Sequence, residues 1–100
     1  MKLSDIAHCR TGDKGDYSLI SVIAYNEEAY NTIYEKLTED VVHQQFEEIV
    51  EGHITRYALP NIGSFIFEME NALGGGVTRT LAMDVHGKSL CYAMLDIELD

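Results

Sequence analysis

Gly63-Ser64-Phe65-Ile66-Phe67-Glu68-Met69-Glu70-Asn71-Ala72-Leu73 is the stretch on which the architecture turns. Ile62, Phe65, Ile66, Met69 and Leu73 fall at helical spacing, while Phe65, Phe67 and Met69 alternate as a strand would. The helical match is the better one, and Gly74 supplies a stop, so the spacing predicts a helix over 63–73. Upstream, 53–59 reads as a strand ended by Pro60 and Asn61.

Further out, 17–25 is apolar on both alternations, with Leu19 and Ile23 on one and Ile20, Val22 and Ala24 on the other. That pattern predicts a central strand covered on both faces. Residues 2–9 read as a weak first strand and 10–16 as a charged glycine loop. Asn26 caps a helix that has Glu27 and Glu28 in its first turn and Tyr30, Ile33, Tyr34 and Leu37 at helical spacing. Thr38 reads as a second cap, followed by a stripe of Val42, Phe46, Ile49 and Val50 that Gly52 stops. Both 77–84 and 89–99 alternate, the first with Val77, Leu81 and Met83 on one face, the second with Cys91, Ala93, Leu95, Ile97 and Leu99. Val85-His86-Gly87-Lys88 between them reads as a hairpin turn. Without repeats or a linker, 1–100 is predicted to be one α+β domain, a mainly antiparallel sheet with helices packed on one face.

A hydrophobic fraction of 46% suits a globular chain, and a domain of 100 residues buries roughly two thirds of its unfolded surface. The formal net charge of −10 repels phosphate backbones and anionic bilayers, so neither nucleic acid nor a membrane is an expected partner. Glu27, Glu28, Glu35, Glu39, Asp40, Glu47, Glu48 and Glu51 stand against the single base Lys36. That run reads as a solvated helical face, the alternative being a docking surface for a basic partner. Met1-Lys2-Leu3-Ser4-Asp5 carries no apolar signal core, and no apolar run nears the roughly 18 residues of a membrane helix, so a cytoplasmic protein is expected. Cys9 and Cys91, each in a strand-like stretch, read as buried thiols in a reducing compartment.

Chemistry concentrates in Arg10-Thr11-Gly12-Asp13-Lys14-Gly15-Asp16. Two glycines three apart free the backbone to present N–H groups to an anion, and Arg10, Lys14 and Thr11 add donors. Asp13 and Asp16 offset the two bases, and either orient them or leave the segment a self-neutralising connection. The spacing is not that of a P-loop. Gly74-Gly75-Gly76 leads to Arg79, which shares a face with Val77 and Leu81 and needs an anionic partner, a ligand or one of the chain's own acids. His8, His43, His53 and His86 show no metal-ligand spacing, and neither a metal nor another cofactor is expected. Asn61 after Pro60 reads as turn chemistry.

Three ordered segments together resemble a known family. They are His8 to Asp16, Arg56-Tyr57-Ala58-Leu59-Pro60-Asn61-Ile62-Gly63, and Ala72-Leu73-Gly74-Gly75-Gly76-Val77-Thr78-Arg79. They are similar to the AtuA-like family of acyclic terpene utilisation proteins, specifically its small C-terminal ferredoxin-fold domain. That domain carries an Arg-Ser-Gly-Asp-Lys-Gly loop, an Arg-Tyr-x-Leu-Pro-Asn segment and a Leu-Gly-Gly-Gly run; here Thr11 replaces the serine and keeps the hydroxyl. The resemblance implies a ferredoxin-like α+β fold and a setting in acyl-CoA or terpenoid-acid catabolism. It implies a role as a small subunit beside a large AtuA-like subunit, since in fused relatives this domain follows a much larger one. It also brings Arg10, Thr11, Gly12, Asp13, Lys14, Gly15, Asp16, Asn61, Gly74, Gly75, Gly76 and Arg79 into one ligand-binding group, for an acidic small molecule or a CoA thioester. The alternative is an independent homo-oligomeric enzyme or small-anion-binding domain that uses 10–16 by itself.

Overall fold

The computed structural model of the chain describes residues 1–14, 17–46, 53–70 and 88–99. Strand β1 spans Ala7–Lys14 and β2 spans Tyr17–Ala24; helices α1, Glu27–Lys36, and α2, Glu39–Gln45, follow. Strands β3, Ile54–Leu59, and β4, Ser64–Glu70, come next, and helix α3 covers Lys88–Leu95. The sheet order is β1-β2-β4-β3, with every neighbouring pair antiparallel. Strands β2 and β3 therefore run parallel, joined by α1 and α2, with β4 inserted between them. This is the split βαβ unit of ferredoxin-like domains.

The predicted caps are present. The Asn26 side chain accepts from the Ala29 N–H at 2.7 Å, and the Thr38 hydroxyl accepts from the Val41 N–H at 3.3 Å. Each satisfies a donor that the first helical turn leaves open. Helix α2 ends at Gln45, with Phe46 buried at its cap, and the expected continuation over 47–52 lies outside the described residues.

Three expectations are corrected. In the 63–73 stretch, Ser64–Glu70 is strand β4, not a helix, and 71–73 lie outside the described residues. Pro60–Ile62 forms a 3-10 turn, and Gly63 takes φ 63°, a left-handed conformation that glycine adopts without strain, before the strand begins. Phe65, Phe67 and Met69 then all point into the core. In the 89–99 stretch, residues up to Leu95 belong to helix α3 and not to a strand, and Lys88 is part of that helix. Leu90 and Met94, one turn apart, are its buried residues. Strand β2 is central as predicted, but Ser18, Ile20 and Val22 are buried while Leu19, Ser21 and Ile23 are only half-buried. Among the described residues the helices cover one face of the sheet. The predicted 77–84 strand and residues 85–87 lie outside the described residues.

Helices α1, α2 and α3 close the core over Ala7, Ile20, Val22, Ile54, Phe65, Phe67 and Met69 with Ile33, Leu37, Val42, Leu90 and Met94. Beyond α3 the chain pairs with its own start. Leu3 N–H donates to the Ile97 carbonyl at 2.9 Å, and Leu99 N–H to the Met1 carbonyl at 2.8 Å. Lys2 Nζ reaches Asp96 at 2.6 Å, and this hydrogen bond, with the charge behind it, raises the lysine's pKa. Exposed pairs of this kind add little energy. Here they flank Leu3, Ile97 and Leu99, which seal one end of the core.

Phe67 sits at the centre of β4 with its ring fully buried, so Phe67→Ala is expected to cost about 3–5 kcal/mol through lost burial and an unfilled cavity. Tyr92, 66% exposed on α3, is expected to tolerate alanine within about 0.5 kcal/mol. Urea denaturation of the two variants measures the difference.

Candidate functional site

The segment expected to be a charged loop is mostly strand. Arg10 to Lys14 pair with β2, in the register Arg10↔Ser21, Thr11↔Ile20, Gly12↔Leu19, Asp13↔Ser18 and Lys14↔Tyr17. Two residues, 15 and 16, connect the strands. Successive side chains on a strand alternate in face. Arg10 and Gly12 are exposed on the face that the helices leave open among the described residues. Thr11, half-buried, belongs to the helix-covered face, as does position 13. Arg10 and Thr11 therefore do not converge on one anion. Gly12 has an ordinary backbone conformation, and a Cβ added to it meets nothing within 4 Å, so close approach is not what a glycine provides there.

Of the remaining site residues, Gly15, Asp16, Gly74, Gly75, Gly76 and Arg79 lie outside the described ones. Tyr17 pairs with Lys14 on one side and with Glu70 on the other, at one end of the sheet. Asn61 is exposed in the 3-10 turn at the opposite end, where β3 meets β4. Six strand residues, roughly 20 Å, separate the two ends. Beside Asn61, an open cleft of about 430 Å³ runs between Asn26, Glu27, Tyr30 and Asn31 of α1 and Pro60 and Gly63. In its wall the Asn26 side-chain oxygen accepts from the Ala29 N–H and the Tyr30 ring stacks on Phe65 at 4.6 Å.

Arg56 is the residue whose role the sequence did not reveal. It lies on the inward alternation of β3, between Ile54 and Ala58 and opposite Phe67. Its Nη1 donates to the carbonyls of Tyr34 and Leu37, each at 2.9 Å, and so closes the C-terminal end of α1. The guanidinium also lies 4.9 Å from the centre of the Tyr34 ring and 5.4 Å from that of Phe65. Its backbone N–H donates to Glu39 Oε2 at 2.7 Å. The available signal was an arginine at an inward strand position, which demands several acceptors.

Nucleophile and metal chemistry find little support among the described residues. Cys9 lies under α3, and burial, with a smaller contribution from neighbouring Cys91, pushes its thiol up to about 12. Burial raises Cys91 as well. A thiol shifted upward carries little thiolate near neutrality and is a poor nucleophile. His8 is exposed and stacks on Tyr25 at 5.8 Å. Glu39, Asp40, His43 and His53 border a shallow hollow of about 220 Å³, and among the described residues no group of His, Cys, Asp and Glu is arranged to hold a metal ion. No helix among these residues is long and apolar enough to cross a membrane.

The geometry defines an α+β domain of the ferredoxin-like class. The chain belongs to the AtuA ferredoxin-like domain family, whose model matches residues 1–100. No curated protein and no solved structure matches it.

Arg56→Ala leaves two carbonyls at the end of α1 without their donor, and about 2–4 kcal/mol of stability is expected to be lost in urea denaturation. Arg56→Lys should recover less than half of it, because an ammonium lacks the planar fork. At pH 8, iodoacetamide is expected to leave Cys9 unmodified in the native chain and to label both cysteines in 8 M urea, as read by mass spectrometry.

Proposed function

We propose that this chain is a small AtuA-like subunit that acts with a separate large AtuA-like subunit on an anionic acyl substrate, within cytoplasmic acyl-CoA or terpenoid-acid catabolism. The observation that carries the reading is the match to the AtuA ferredoxin-like domain family over 1–100. The resemblance of the three motifs adds the expectation of a larger partner, since it implies fused relatives in which this domain follows a much larger one. The position of Lys14, paired with Tyr17 at one end of the sheet, supports an anion-facing contribution at that end. Arg10 is four residues away along the same strand, about 13 Å at strand spacing.

Co-expression with a large AtuA-like protein, with an affinity tag on the small chain, tests the reading. The two are expected to elute together, and acyl-CoA turnover is expected from the complex and not from the small chain alone. Lys14→Ala should raise KM at least about tenfold while the complex stays intact, since a lost charge-assisted contact to substrate is of that order. Turnover by the isolated small chain, or failure of the two proteins to associate, overturns it.

A further inference from the structure

We propose that the face of the sheet opposite the described helices is the contact between two copies of this chain, packed about a two-fold axis that runs along the strands. The inference is independent of the large-subunit reading.

Among the described residues all three helices lie on the other face. The open face presents Leu19 and Ile23 from β2, Ile66 from β4, and Tyr57 and Leu59 from β3. Leu19, Ile23, Ile66 and Leu59 remain half-buried, and Tyr57 is 47% exposed. Charge is sorted between the two faces. Glu27, Glu28, Glu35, Glu39 and Asp40 are exposed on the helical layer, where they oppose the approach of a second acidic molecule. On the open face Arg10 from β1 is level with Ile66, one pleat from Glu68, and Glu70 lies further along β4, so the described charges there are one base and two acids, fewer acids than the helical layer carries. A chain of net charge −10 meets its own copy at least electrostatic cost there.

The order of the strands makes the face complementary to itself. Rotation about an axis parallel to the strands sets β1 of one copy over β3 of the other, and β2 over β4. Arg10, which makes no hydrogen bond or ion pair among the described residues, then stands over Tyr57 and beside Glu68 of the second copy. The reciprocal pair forms across the axis, as a two-fold contact requires. Leu19, Ile23 and Ile66 fill the centre, with the two sheets about 10 Å apart. Four strands of this length cover roughly 450 Å² in plan, which lies at the weak end of specific interfaces, so the dimer should dissociate on dilution through the micromolar range.

Sedimentation equilibrium of the full chain over a range from about 1 to 300 µM tests the proposal. A monomer–dimer equilibrium is expected, weakened at least about tenfold by Arg10→Glu and equally by Glu68→Arg. The double variant, in which the charges have changed places, should dimerise as the wild type does. Circular dichroism confirms that each variant is folded. Ile66→Asp, at the centre of the contact, provides a second probe and should abolish the dimer. A wild type monomeric at every concentration, as expected if 71–87 or a different protein covers the face, overturns the proposal. So does a dimer insensitive to Arg10→Glu and Ile66→Asp, or a folded double variant that fails to recover.

Discussion

The grip of Arg56 on the end of α1 is the contact on which the rest of the domain depends. One side chain satisfies the Tyr34 and Leu37 carbonyls and covers the Tyr34 and Phe65 rings, while its backbone N–H is held by Glu39. These contacts fix the corner between α1 and α2 against the edge strand β3. A guanidinium suits the position because it keeps its charge while offering several donors in one plane. With the corner fixed, the long connection from β2 to β3 crosses a single face, and β4 has one slot to fill, between them.

The same contact treats the two sheet edges differently. On β3, a side chain occupies the outward N–H of Arg56, which protects an edge from pairing with other chains. Strand β1 forms the other edge, and α3 packs against its inner side through Leu90 and Met94. Cys9 is consequently covered and its thiol held protonated, which removes the nucleophile that a His8-Cys9 pair would suggest. The exposed side chains described on β1, His8 and Arg10, lie on its opposite side, facing away from the helices.

The caps were readable from the sequence because capping is local. Asn26 and Thr38 each bond a donor three residues ahead, and distant residues do not decide the matter. The strand β4 and the helix α3 were misread for a common reason. In runs of seven or eight residues, positions four apart lie on one face of a strand and nearly on one face of a helix. Phe65 and Met69, like Leu90 and Met94, fit both periods. The tie is broken by partners far along the chain: β2 and β3 offer hydrogen bonds on both sides of β4, whereas α3 lies over a sheet already formed.

By itself, the sequence determined the α+β class, the starts of α1 and α2, the acidic composition and the family, through local bonds, composition and ordered motifs. The tertiary structure decided that Arg10 and Thr11 face opposite ways and that Asn61 lies at the far end of the sheet from Lys14. It also gave Arg56 its work. A motif fixes which residue types occur together along the chain. The pleat of a strand and the pairing of distant strands determine which of them share a face, and those depend on contacts between residues widely separated in sequence.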